Sequence, residues 1–178
     1  KSKTIGNILE IAETNQKSIK LRLPDGLTGF TEPSTWIDFE EFKNTVLCDS
    51  IQLKKLAQQL MGRPYLWGWT SARAMDCSGF VKTIYFMNGV ILARDASLQI
   101  KQGEKVEVEN DFSNLQTGDL LFFGQKQSEN QPEKVTHVAL SLGNTEFIHA
   151  SGKIERNSFD PESSIFSEYR KNSFDGAK

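Results

Sequence analysis

Residues 63–86 read RPYLWGWTSARAMDCSGFVKTIYF. The first half is rich in Gly, Trp and Tyr and reads as a loop. In the second half Phe80, Val81, Ile84 and Tyr85 fall on one helical face, and Asn88-Gly89 supplies a helix stop. Cys77, one of only two cysteines in the chain, lies where the loop becomes the helix. Unpaired backbone N–H groups and the helix dipole favour a thiolate at such a position. Asp76, directly before it, works the other way and raises a thiol pKa. Either Cys77 is no nucleophile, or Asp76 has a second task that justifies its charge.

Upstream, Leu53, Leu56, Ala57 and Leu60 also recur at helical spacing. Asp49 or Ser50 can cap that helix, and Gly62 with Pro64 ends it. Cys48 lies just before it and reads as a small buried hydrophobe; a Cys48–Cys77 bridge is disfavoured. Residues 1–38 read as β, with PDG as a strong turn signal. Their LPDG…G-aromatic hairpin resembles the C-terminal part of a bacterial SH3-like barrel; a β-meander packed on the main domain is the plain alternative. This predicts three stretches: 1–38 as a partial SH3-like segment, 39–52 as linker and helix start, and 53–178 as the main domain.

Downstream, TGDLLFFG is a turn and then a continuous apolar run, which suits a buried strand. QKQSENQPEK is a polar loop, and Ser128 to Lys134 reads as an insertion in it. VTHVALSLG and TEFIHAS are strands around Gly143-Asn144, and the tail from Asn157 is poorly patterned. Helices first and strands later predict an α+β fold with an antiparallel sheet.

The chain has 178 residues, 38% hydrophobic and 25% charged, with a net charge of −2. That balance argues for a soluble globular protein and against nucleic acid or an anionic membrane as main partner. No apolar run approaches the ~20 residues of a membrane span. The start at Lys1, without Met or a signal peptide, reads as a mature or trimmed chain. A monomer is expected.

His137 and His149 are the only two histidines. If Gly143 centres a three-residue loop, Leu142 to Asn144, then Ser141 pairs with Thr145 and His137 falls opposite His149. Directly opposed residues share a face, with Cβ atoms about 5 Å apart. A two-residue loop would put them on opposite faces. There is no CxxC, so a zinc site is not supported, and no cofactor is implied. His137 is the better base for Cys77, the two forming a thiolate–imidazolium pair. His149 would accept the N–H of His137 and orient it.

DCSGF, THVAL about sixty residues on and FIHAS a dozen after that resemble the NlpC-type family of papain-like cysteine peptidases. PYLWGWTS, RDAS and LQTGDLLFF match as well, and the resemblance covers roughly residues 53–155. It implies a bacterial cell-wall peptide hydrolase with Cys77, His137 and His149 as its triad. The finer resemblance is to enzymes with N-terminal SH3-like domains that cleave the γ-D-glutamyl–diamino acid bond of murein peptides carrying a free N-terminal L-Ala. It implies that Asp76 anchors that amine, its charge being offset once the ammonium arrives. Tyr65 and Trp67 match aromatic positions of the same pocket, with core packing as the plain reading of each. Ser78 and Ser97 match polar positions near the ligand. Arg94 and Asp95 lie in the matching RDAS segment and read more readily as a structural ion pair. Gly68-Trp69 stands where the family often has WGG, which predicts a bulkier loop. Phe30 and Trp36 are candidates for closing the amine end of the site. A thiol acyltransferase or amidase on the same fold, or a degenerate wall-binding module, stays open. The family points to the cell envelope, periplasm or exterior, with cytoplasmic recycling as the alternative.

Overall fold

The computed structural model describes residues 6–125 and 134–178. The insertion read at Ser128 to Lys134 lies outside the described residues, apart from Lys134 itself. The chain divides into two units, Lys1–Leu47 and Cys48–Lys178.

The first unit is an antiparallel meander of β1 (Glu10–Thr14), β2 (Ile19–Arg22) and β3 (Thr28–Thr31). The PDG turn joins β2 to β3. Gly26 takes φ +80°, and its N–H donates to the Leu23 carbonyl at 2.9 Å. Then comes α1 (Phe39–Thr45), inside the stretch expected as linker and helix start. Its cap is Asp38, whose carboxylate accepts from the Glu40 and Glu41 amides. Asp38 and Glu41 have capping-box spacing, a signal legible in the sequence.

In the second unit, α2 (Ser50–Gln59) is capped by Asp49. Cys48 precedes that cap, off the apolar helix face, and is exposed rather than a buried hydrophobe. A short hairpin, β4 (Thr70–Ser71) with β5 (Ala74–Met75), leads into α3 (Cys77–Phe86), and α4 (Ala96–Gln99) follows. The strands are β6 (Thr117–Gln125), β7 (Lys134–Gly143), β8 (Glu146–Ser151), β9 (Lys153–Ser158) and β10 (Phe174–Ala177); α5 (Glu168–Asn172) precedes the last. They form one antiparallel sheet in the order β10-β6-β7-β8-β9.

Both faces of the sheet are covered, which explains the unbroken apolar run in β6. Leu120 and Phe122 join Val138, Leu140, Ile148 and the helix residues Leu53, Phe80, Val81 and Ile84. Leu121 and Phe123 join Phe147, Phe112 and Phe159 on the other side. Each of the buried α3 side chains Phe80, Val81 and Ile84 contributes about 1.5–3 kcal/mol by burial. That packing fixes where the N-terminus of α3, and so Cys77, meets the sheet.

The β7–β8 hairpin departs from the expected register. Its turn is the two residues Asn144-Thr145, after a Gly143↔Glu146 pair, and a bulge follows between Ser141 and Gly143. Gly143 and Asn144 have φ of +98° and +52°, a region favoured by Gly and tolerated by Asn. The pairs beyond are Ser141↔Phe147 and Leu140↔Ile148. The two-residue turn alone would place the histidines on opposite faces, and the bulged residue restores the shared face. His149 is level with Ala139 on this register, so the histidines are diagonal neighbours rather than directly opposed.

Candidate active site

The start of α3 answers why an aspartate precedes the cysteine. Asp76 is the N-cap, with φ −83° and ψ 179°, and its Oδ1 accepts the Gly79 N–H at 2.7 Å. Its Oδ2 accepts the Gly68 N–H at 2.8 Å, which ties down the Trp67–Trp69 loop. Arg94 donates to both oxygens, at 3.1 and 2.6 Å, and Ser78 Oγ lies 3.3 Å from Oδ1. Arg94 therefore pairs with Asp76, bidentately, and reaches Asp95 only at 3.9 Å. The Asp76 charge is offset before any substrate arrives, contrary to the sequence expectation. Burial opposes that charge, but Arg94 and the two amides outweigh it and hold the carboxyl below its ordinary range.

Gly79 is needed for a different reason. A Cβ there would lie 2.5 Å from the Trp69 carbonyl oxygen and 3.0 Å from Asp76 Oδ1. Only a bare Cα lets the loop and the helix approach this closely.

Cys77 is buried at the first helical position. Burial pushes its thiol pKa up; the Val138 amide pulls it down, Asp76 raises it further, and the Ser78 and Cys77 amides lower it. The sulfur is thus beside the residue that follows His137. Cys77 also lines a cleft of about 320 Å³ together with Val135 and Thr136, the two residues before His137. Every candidate substrate residue lines that same cleft: Tyr65, Trp67, Asp76, Ser78, Arg94, Asp95 and Ser97. Trp67 is 82% exposed, which rules out core packing for it. Tyr65 is half-buried, and burial followed by the charges of Cys77 and Asp76 raises its hydroxyl pKa. Trp69 is exposed and does not line the cleft. In the first unit, Phe30 is exposed on β3, and the Trp36 indole N–H donates to Thr31 Oγ1.

On the sheet, His137 Nε2 lies 2.6 Å from His149 Nδ1, the rings edge to face. His149 Nε2 lies 2.8 Å from Asn157 Oδ1. Burial lowers the pKa of His137, with Arg170 and His149 adding to it; burial lowers that of His149 too, against the Asn157 hydrogen bond. Burial thus favours the neutral form of Cys77 and of His137, each taken by itself.

Two residues near the site escaped the sequence reading. Asn157 belongs to β9, on the face of His149, which pairs with Glu155. Counting by twos across the β8–β9 hairpin finds it once β9 is recognised, but the polar alternation of KIERNS hid that strand. Arg170, on α5, is partly buried, lies over the Phe123 ring and donates to Ser151 Oγ at 3.2 Å. No local pattern marks a cation that tertiary folding carries to the histidines. Among the described residues no cluster of three or more His, Cys, Asp or Glu is placed to hold a metal ion.

Cys77, at a helix start, lies beside the strand that carries His137, and the two histidines meet on the sheet. The model of the NlpC/P60 family matches residues 62–176, and the chain belongs to that family of cysteine peptidases. It is 31% identical over 140 residues to a gamma-D-glutamyl-L-lysine dipeptidyl-peptidase of Bacillus cereus, covering 79% of this chain and 40% of that protein. It is 37% identical over 90 residues to the Bacillus subtilis protein of the same name, covering 51% and 28%. A crystal structure of an NlpC/P60 family protein from Bacillus cereus superposes with a TM-score of 0.72 at 26% identity, covering 96% of this chain and 52% of that one. The chain thus spans well under half the length of these two curated relatives.

Proposed function

We propose that the protein hydrolyses the γ-D-glutamyl–diamino acid bond of murein peptides that carry a free N-terminal L-Ala. The observation that carries this reading is the charge of the cleft. It holds two carboxylates, Asp76 and Asp95, against one guanidinium, Arg94, a net −1 beside Cys77. A peptide ammonium neutralises that remainder, and an acylated amine does not. The names of the relatives support the same bond type.

In this reading Cys77 Sγ attacks the γ-carbonyl of D-Glu as its proton passes to His137. The Cys77 and Ser78 amides at the helix start face the sulfur and are suited to steady the developing oxyanion. His137 then protonates the departing amine of the diamino acid, leaving a thioester. Water, deprotonated by His137, releases the acyl group. His149 orients His137. Tyr65, Trp67, Ser78 and Ser97 shape the pocket for the L-Ala-D-Glu end, while Arg94 holds Asp76.

The reading assigns the β segment 1–38 to a bacterial SH3-like barrel and 53–178 to a monomeric peptidase domain. It sets the activity at the cell envelope or outside the cell. Among the described residues no helix is long and apolar enough to cross a membrane. The test is incubation with L-Ala-γ-D-Glu-L-Lys, its diaminopimelate counterpart and their N-acetylated forms, products read by mass spectrometry. Release of L-Ala-D-Glu by wild type and none by Cys77→Ala is expected. Turnover by a clean Cys77→Ala preparation would overturn the mechanism.

A further inference from the structure

The two histidines and Asn157 form a relay across three adjacent strands. His137 is on β7, His149 on β8 and Asn157 on β9, and each step across the sheet moves two residues along it in the same sense. Asn157 lies opposite Phe147, which lies opposite Ser141. His149 is level with Ala139, one step nearer His137. The relay is a diagonal of the sheet, and its third member is held from outside the strands. Asn157 Nδ2 donates to the Ile165 carbonyl at 3.2 Å, and its Oδ1 faces His149 Nε2 at 2.8 Å.

That outer contact has a direction. A backbone carbonyl can only accept, so the amide must turn its NH₂ to Ile165 and its oxygen to His149. An amide oxygen can only accept, so His149 Nε2 carries the hydrogen. A neutral imidazole then has a bare Nδ1. The 2.6 Å contact can be made only by a hydrogen on His137 Nε2. His137 is left with a bare Nδ1, the lone pair free to take a proton from a thiol. Burial keeps both rings neutral, so each holds one ring proton whose location the relay decides.

We propose that Asn157 is a positioning residue that sets the tautomer of both histidines through the fixed Ile165 carbonyl, so that His137 presents its bare Nδ1. This rests on the peptidase reading for its effect on rate, but its central observable does not. With only two histidines in the chain, ¹⁵N-histidine spectra of the intact protein at pH 7 show two rings, which a His149→Gln variant assigns. Both rings should carry the proton on Nε2 in wild type. Asn157→Leu removes the acceptor, so His149 should show a mixture of tautomers, and kcat should fall about 10- to 100-fold with KM nearly unchanged. Asn157→Asp keeps an acceptor towards His149 and gives up the donor to the Ile165 carbonyl. It should keep the wild-type tautomers and shift the acid limb of the kcat/KM profile upward, because a carboxylate favours the imidazolium. A proton on Nδ1 of either ring in wild type would overturn the proposal. So would wild-type tautomers in a folded Asn157→Leu, or in Asn157→Ala should the Leu variant fail to fold. If no variant and no wild-type sample cleaves the peptides while the tautomers behave as stated, the peptidase reading fails and the relay assignment stands.

Discussion

Asp76 combines three tasks in one side chain: it caps α3, holds the loop through Gly68, and pairs with Arg94. The pairing explains how a carboxylate can adjoin the Cys77 thiol without imposing a full negative charge on it. It also separates the two acids of the cleft by experiment. Asp76→Asn leaves a guanidinium without its charge partner and should lower stability by about 2 kcal/mol. Asp95 is 67% exposed along its side chain and 3.9 Å from Arg94, so Asp95→Asn should stay within about 0.5 kcal/mol of wild type. Urea unfolding of the two variants measures the difference, and equal destabilisation would contradict the division of roles. The sequence made Cys77, the two histidines and the cleft residues legible because each lies in a short motif with its own local chemistry. The Arg94–Asp76 pair was missed because Asp95, its chain neighbour, offered a nearer partner in sequence than the one 18 residues away in space.

At the scale of elements, the site depends on two places where the backbone departs from regularity. One is the bulge in the β7–β8 hairpin, which returns His137 and His149 to one face. A bulge has no sequence marker beyond its glycine, so face and partner were legible while register was not. The other is the contact of the Trp69 carbonyl with Gly79. Gly79→Ala forces a Cβ to 2.5 Å from a backbone oxygen that no rotamer change can relieve. It should cost about 1–3 kcal/mol and weaken Asp76 capping, with activity lost beyond what the fall in stability explains. Thermal unfolding with kcat/KM measured well below the transition checks this; an unaltered variant would remove the close-approach argument. The helices were readable because apolar spacing and end signals agree, as with Asp49 before α2 and Asn88-Gly89 after α3. β9 and β10 were not. KIERNS and FDGA carry one large apolar residue each, Ile154 and Phe174, and gain their place from the strands they pair with rather than from their own pattern.

For the whole molecule, burial of two neutral histidines ties stability to pH. Both folded-state pKa values are depressed against about 6.5 in the unfolded chain. Below that value the unfolded state binds more protons, so stability is complete above pH 7 and falls on acidification. Between pH 7 and 5 the loss should be about 2 kcal/mol for each histidine. Urea unfolding should show it, with His149→Gln keeping roughly half; a flat wild-type profile would contradict the neutral, buried pair. The chain matches only part of its longer relatives, so the activity of any larger protein containing it is addressed best through the peptide it cuts. The most direct measurement is therefore a pair of kcat/KM values, for L-Ala-γ-D-Glu-L-Lys and for its N-acetylated form. A charge-assisted hydrogen bond to the ammonium contributes about 1.5–3 kcal/mol, and each 1.36 kcal/mol is tenfold in rate. The free-amine peptide should be cut at least ~10-fold more efficiently. Equal values for the two peptides would contradict the account.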